Sequence, residues 1–184
     1  KSAQSLELMG RVNTVVLDKT GTVTEGKPRL TDCFAAEGVT EEELLCVAAS
    51  VEQPSEHPLS RAVTEAAQER RIPLCDVTDF TAVPGKGLQG KVAGKVIAGG
   101  NADFIRETCA LPDDLQQAGA EMSADGITPL YFSLAGKAAG VIGVSDVVKE
   151  SSASAIAQMQ ALGLTEAEIE TLLRETAQQA QKKE

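Results

Sequence analysis

Apolar and polar positions fall into short blocks of two kinds, runs that read as strands and stripes that read as helices. Residues 1–11 are polar, with Leu6, Leu8 and Met9 on a weak apolar side, and read as a helix. Val15, Val16 and Leu17 end the strand 12–17, and Asp18 follows it. Residues 24–28, Thr-Glu-Gly-Lys-Pro, are rich in turn formers and read as a linker. Residues 29–37 read as a strand. Thr40 and Glu43 have capping-box spacing, with Val39 placed to staple onto Leu44, and open a helix over 41–51. Its apolar stripe is Leu44, Leu45, Val47, Ala48 and Val51. Pro58 fits the first turn of a second helix, whose stripe is Leu59, Ala62, Val63, Ala66 and Ala67. Three short strands follow at 76–83, 87–93 and 95–98. Asn101 caps a helix over 102–109, and Pro112 opens another that ends near Gly126. Residues 128–134 and 138–144 form a hairpin turning at Ala135–Gly136–Lys137. Residues 141–150 return to an apolar strand that carries Asp146. Helix 151–162 ends at Gly163, and a second capping box at Thr165 and Glu168 starts a polar helix to about Gln181.

This order predicts a compact α+β lobe, an antiparallel sheet flanked by helices, over residues 27–126, with 138 as its outer limit. The lobe interrupts a domain begun by residues 1–26 and resumed by 139–164. The whole is of α/β class, and residues 165–184 form a separate helix. The chain has 184 residues, of which 42% are hydrophobic and only 3% aromatic, so the core must be aliphatic.

The formal net charge of -10 disfavours nucleic acid, whose binding depends on lysines and arginines set against phosphates. Any anionic ligand must then be held by local geometry against a repulsive overall field. The four cysteines, Cys33, Cys46, Cys75 and Cys109, form no CxxC pair, and the chain has one histidine. Zinc-type spacing is missing, so free thiols are expected. No stretch reads as a secretory leader, and no apolar run approaches the ~20 residues that span a bilayer.

Candidate chemistry concentrates at residues 18–22. A carboxylate fixed at the end of a buried strand is placed where open α/β sheets carry chemistry, and carboxylates form acyl phosphates in ATPases. Lys19 is a cation suited to phosphate oxygens. Thr20 and Thr22 offer hydroxyls and amides in a loop able to nest an anion. Taken singly, other positions read two ways. His57 before Pro58 is a helix cap or a ring facing a ligand. Gly85 and Gly87 mark a hairpin turn or a close backbone approach. Glu52 is a solvated helix end or an acceptor, and Gly100–Asn101 is a helix cap or a pocket wall. Lys86 is a solvated lysine or a phosphate contact. Asp146 is a strand-end turn or a functional acid.

The sequences DKTGT at 18–22, SEHPL at 55–59, PGKG at 84–87 and GN at 100–101 together resemble heavy-metal P-type ATPases, in the order found there. TEGKP at 24–28 and AVPGKG at 82–87 lean towards the copper(I) exporters. The resemblance covers about residues 1–164. It implies a nucleotide-binding lobe inserted in an incomplete haloacid-dehalogenase-like phosphorylation domain, with ATP and Mg2+ as cofactors. By that resemblance Asp18 is the phosphorylated residue, with Lys19 and Thr20 beside it, and Asp18 and Thr20 contact magnesium. His57 orients the adenine and Glu52 recognises its edge. Gly85, Lys86 and Gly87 approach the nucleotide, and Gly100 and Asn101 form a second wall. Asp146 resembles the hinge-side acid.

The resemblance further implies a cytosolic domain of a membrane protein whose partners are the transmembrane and actuator domains of the intact pump. The later phosphorylation-domain loops do not follow residue 164, so the chain is expected to bind ATP without turnover. It is expected to be a soluble monomer, with a dimer through 166–181 as the other arrangement. Two competing readings are a haloacid-dehalogenase-type phosphatase and a non-catalytic scaffold or adaptor. Against the first, the second acid that such phosphatases carry two positions after the nucleophile is Thr20 here.

Overall fold

A computed structural model describes residue 17 and residues 19–161. The expected helix at 1–11, most of the strand at 12–17, Asp18 and the helix at 165–184 lie outside the described residues. After an irregular turn at Lys19–Val23 come β1 (Thr24–Ala35), α1 (Glu41–Glu52), α2 (Pro58–Glu69), β2 (Val77–Val83), β3 (Gly87–Val92) and β4 (Lys95–Gly100). Then follow α3 (Ala102–Thr108), α4 (Asp113–Ala124), β5 (Thr128–Leu134), β6 (Lys137–Val148) and α5 (Glu150–Ala161).

The chain divides into two compact units. One is Pro28–Ser145; the other takes the residues before and after it. The strands make one six-stranded sheet in the order β1-β6-β5-β4-β3-β2, and from β2 to β6 each pairing is antiparallel.

Within Pro28–Ser145 the pleat sorts side chains onto two faces, because successive strand residues point to opposite sides. Ile97, Phe132, Ile142 and Val144 meet Leu44, Leu45, Ala48 and Val51 of α1 and Val63 of α2. Their neighbours Ala98, Tyr131 and Val141 meet Phe104 and Ile105 of α3 and Leu115 and Met122 of α4. Each fully buried aliphatic side chain contributes about 1.5–3 kcal/mol. The core is mainly aliphatic, and Phe104, Tyr131 and Phe132 are its buried aromatic members.

The helix starts follow the sequence. Thr40 and Glu43 close a reciprocal capping box on α1, Asn101 Oδ1 accepts from Phe104 N at 2.9 Å, and Pro58 begins α2.

Two expectations change. Residues 24–28 are not a linker but the first part of β1. Pro28 fits β1 because β1 is an edge strand of the sheet, the kind of strand to which proline, lacking a ladder donor, is largely confined. The second chain crossing lies at Ser145/Asp146, not at 126–138. The hairpin of β5 and β6 belongs to the same sheet as β2–β4, with Gly99 opposite Phe132, so the lobe keeps both strands. No helix among the described residues is long and apolar enough to cross a membrane.

Candidate functional site

The segment after Asp18 is built by its distant end. In the turn Lys19–Val23, Gly21 takes φ 76°, a left-handed conformation that suits glycine. Thr20 is exposed. Gly21 N donates to Thr24 Oγ1 at 3.2 Å. Thr24 is fully buried, and its hydroxyl donates to Asp146 Oδ2 at 2.5 Å. Asp146 Oδ2 also accepts from Gly26 N at 3.0 Å and Oδ1 from Lys27 N at 2.8 Å. Partial burial pushes the Asp146 carboxyl up. The Thr24 hydroxyl and the N–H groups of Lys27, Gly26 and Val147 outweigh that and hold it below its ordinary value.

Lys149 Nζ donates to the carbonyls of Gly21 at 2.6 Å and Thr22 at 3.1 Å, and Ser152 Oγ donates to Val23 O at 2.8 Å. Sequence reading missed Lys149 and Ser152. Their only sequence signal is a position three and six residues beyond Asp146. Asp18 itself lies outside the described residues.

In the other unit, two groups of expected residues are each brought together. The first lies where α1 ends and α2 begins. Glu52 is only 5% exposed, so it is not a solvated helix end. Its Oε2 accepts from Ser60 Oγ at 2.5 Å, and Ser60 Oγ lies 2.8 Å from Ser55 Oγ. Burial raises the Glu52 carboxyl above its ordinary value, and the Ser60 hydroxyl offsets part of that rise. His57 is exposed and caps α2, its Nδ1 accepting from Leu59 N at 3.2 Å. That bond leaves the ring proton of the neutral imidazole on Nε2.

The second group joins the β2–β3 turn to the end of β4. Gly87 pairs with Gly100, Asn101 N donates to Lys86 O at 2.9 Å, and Asn101 Nδ2 donates to Gly85 O at 3.3 Å. A Cβ on Gly87 would stand 2.1 Å from Gly99 O and 2.9 Å from Phe104 Cδ1. One on Gly100 would stand 2.3 Å from Lys86 O. The two glycines thus serve the approach of backbone to backbone beneath α3. Lys86 Nζ pairs with Glu107 Oε1 at 2.8 Å in a solvated position.

Among the described residues no hydrogen bond links the His57 group to the Gly87 group, although α1 lies against β3 and β4. Cavities of about 380, 280 and 190 Å³ lie elsewhere in this unit. The largest is lined by Val39, Glu43, Cys46, Val47 and Ala138, with aliphatic walls. Among the described residues no group of three or more His, Cys, Asp or Glu could hold a metal ion. The expected magnesium pair, Asp18 and Thr20, therefore rests on a residue outside that set.

Residues 12–180 match the haloacid dehalogenase-like hydrolase family, so the match runs past residue 164, to which the sequence resemblance extends. The copper-transporting P-type ATPase of Rhizobium leguminosarum bv. viciae is 40% identical over 164 residues, 89% of this chain and 20% of that protein. The chain spans about a fifth of the length of this relative. A zinc-transporting PIB-type ATPase in its E2.Pi state has a TM-score of 0.74 at 34% identity, covering 89% of this chain and 26% of that one. The N-domain of a copper-transporting P-type ATPase has a TM-score of 0.55 at 25% identity, covering 65% of this chain and 99% of that domain. The chain belongs to the haloacid dehalogenase-like hydrolase family, and its relatives are metal-transporting P-type ATPases.

Proposed function

We propose that this chain is the ATP-binding cytosolic part of a P-type ATPase that exports copper(I). In the intact pump, an Asp18 carboxylate oxygen attacks the terminal phosphorus of ATP. The bond from that phosphorus to the bridging oxygen breaks, and ADP leaves. Lys19 and Thr20 flank the nucleophile. Magnesium would enter with the nucleotide and neutralise charge on its phosphates, with Asp18 and Thr20 as its ligands from this segment.

The observation that carries the reading is the Glu52–His57 arrangement. A desolvated carboxylate suits an exocyclic amine, because a buried acceptor gains most from a donor that water cannot replace. At the cap of the next helix an exposed imidazole presents Nε2–H, and its ring can stack on a flat base. Gly85, Lys86 and Gly87, locked to Gly100 and Asn101, supply a second, rigid wall. The metal-binding and membrane-spanning parts belong to the intact pump, and its transmembrane and actuator domains are the partners. The chain by itself binds ATP as a monomer without sustained turnover.

Calorimetric titration of ATP into the wild type and His57→Ala tests the pocket. A loss of about tenfold in affinity, equivalent to ~1.4 kcal/mol, is expected. Equal affinities would remove His57 from the site.

A further inference from the structure

Two cysteines far apart in sequence meet in the fold. Cys46 and Ser50 stand one helical turn apart on α1, and the segment leading from α2 to β2 runs along that face. Cys46 Sγ donates to Pro73 O at 3.2 Å. Ser50 Oγ donates to Cys46 O at 2.6 Å and accepts from Cys75 N at 2.9 Å. These bonds fix the backbone of Cys75 beside Cys46, and the two thiols interact electrostatically. Both line the cavity of about 190 Å³, whose other walls include Val92, Lys95, Ile97 and Leu134.

We propose that Cys46 and Cys75 form a two-thiolate site for a soft monovalent d10 ion, copper(I) or silver(I). Thiolate sulfur selects such ions over hard cations. Zinc needs four ligands, and among the described residues no cluster of three or more His, Cys, Asp or Glu is available to it. Two thiolates around one monovalent ion carry a net charge of one minus, and Lys95 is a cationic residue of the cavity lining. Binding replaces two S–H bonds by two S–metal bonds and releases two protons to solvent, with no change of oxidation state. Burial raises the Cys46 thiol, and the neighbouring Cys75 raises it further, while Ser50 lowers it. This site is separate from Glu52 and His57.

Copper(I), supplied without oxygen to the reduced chain against a competing copper(I) chelator, tests the assignment. The wild type is expected to retain one equivalent, with two sulfur neighbours in X-ray absorption. Cys46→Ser and Cys75→Ser should each lose at least a hundredfold in affinity. Cys33→Ser and Cys109→Ser should match the wild type. ATP affinity should be unchanged in all four, so failure here and failure of the nucleotide reading are distinguishable. The site is overturned if the wild type retains no copper(I), or if Cys46→Ser and Cys75→Ser retain it as well as the wild type. It is also overturned if the pair closes to a disulfide that, once reduced again, still takes no copper(I).

Discussion

Two carboxylates, one in each unit, respond to opposite forces. Asp146 is half-buried and gathers a hydroxyl and backbone N–H groups from the start of β1. Donors win there, and the group is held ionised, below its ordinary value. Glu52 is nearly sealed from water and receives the Ser60 hydroxyl. Desolvation wins there, and the group is pushed up. The first is a clasp that joins the start of β1 to the end of β6. The second is a buried acceptor whose desolvation the Ser60 hydroxyl offsets only in part.

The largest effect should come from opening the clasp. Asp146→Ala removes an acceptor of the Thr24 hydroxyl and of the Gly26 and Lys27 N–H groups. Charge-assisted bonds are strong, but solvent screens this half-exposed site, so a loss of about 2–3 kcal/mol is expected. Denaturant unfolding, with faster amide exchange at Gly26 and Lys27, would report it. An unchanged midpoint would show that the clasp holds nothing.

Ser60→Ala should destabilise by about 1–2 kcal/mol, since it strips the hydroxyl from a buried carboxylate. The Glu52 carboxyl should then titrate higher still by carbon-13 NMR. A fall in that value would mean that desolvation is not the dominant force.

The two acids should also shape opposite limbs of a stability–pH curve. Asp146 has a depressed folded value, so its contribution is present above the ordinary 3.8 and is lost as pH falls through the folded value. Glu52 has a raised folded value. Its contribution is present below the ordinary 4.5 and is lost as pH rises through the folded value. Asp146→Asn should flatten the acid limb, and Glu52→Gln the limb just above 4.5. If each variant flattened the other's limb, the assignments would be reversed.

The smallest effect belongs to Lys149→Met. It removes two hydrogen bonds to exposed carbonyls and should cost about 0.5–1 kcal/mol, read as a small shift in the thermal midpoint. A loss as large as that of Asp146→Ala would make Lys149 an equal part of the clasp.

Much of the lobe was legible because its signals are local. Thr40 with Glu43, Pro58, and Asn101 each mark a helix start through a partner within three residues. Gly136 marks the β5–β6 turn, and stripes such as Leu44–Leu45–Ala48–Val51 announce the buried face of α1. What stayed hidden depends on distant partners. Residues 24–28 look like turn formers because the carboxylate that straightens them into β1 stands about 120 residues away. Cys46 and Cys75 meet only because Ser50 clips the later segment onto α1. Gly87 and Gly100 suggest an approach to a ligand, yet the atoms nearest their missing side chains are the carbonyls of Gly99 and Lys86, followed by each other's Cα and by Phe104. The buried state of Glu52 depends on a fold-wide fit that no neighbouring residue records.

Backbone NMR during an ATP titration tests the central claim most directly, because it reports every amide at once. The nucleotide reading predicts that the largest shifts fall together on residues 52–60, on 85–87 and on 100–101, and that they saturate at one equivalent. Shifts confined to the aliphatic cavity beside Val39 and Ala138, or no shifts at millimolar ATP, would contradict it.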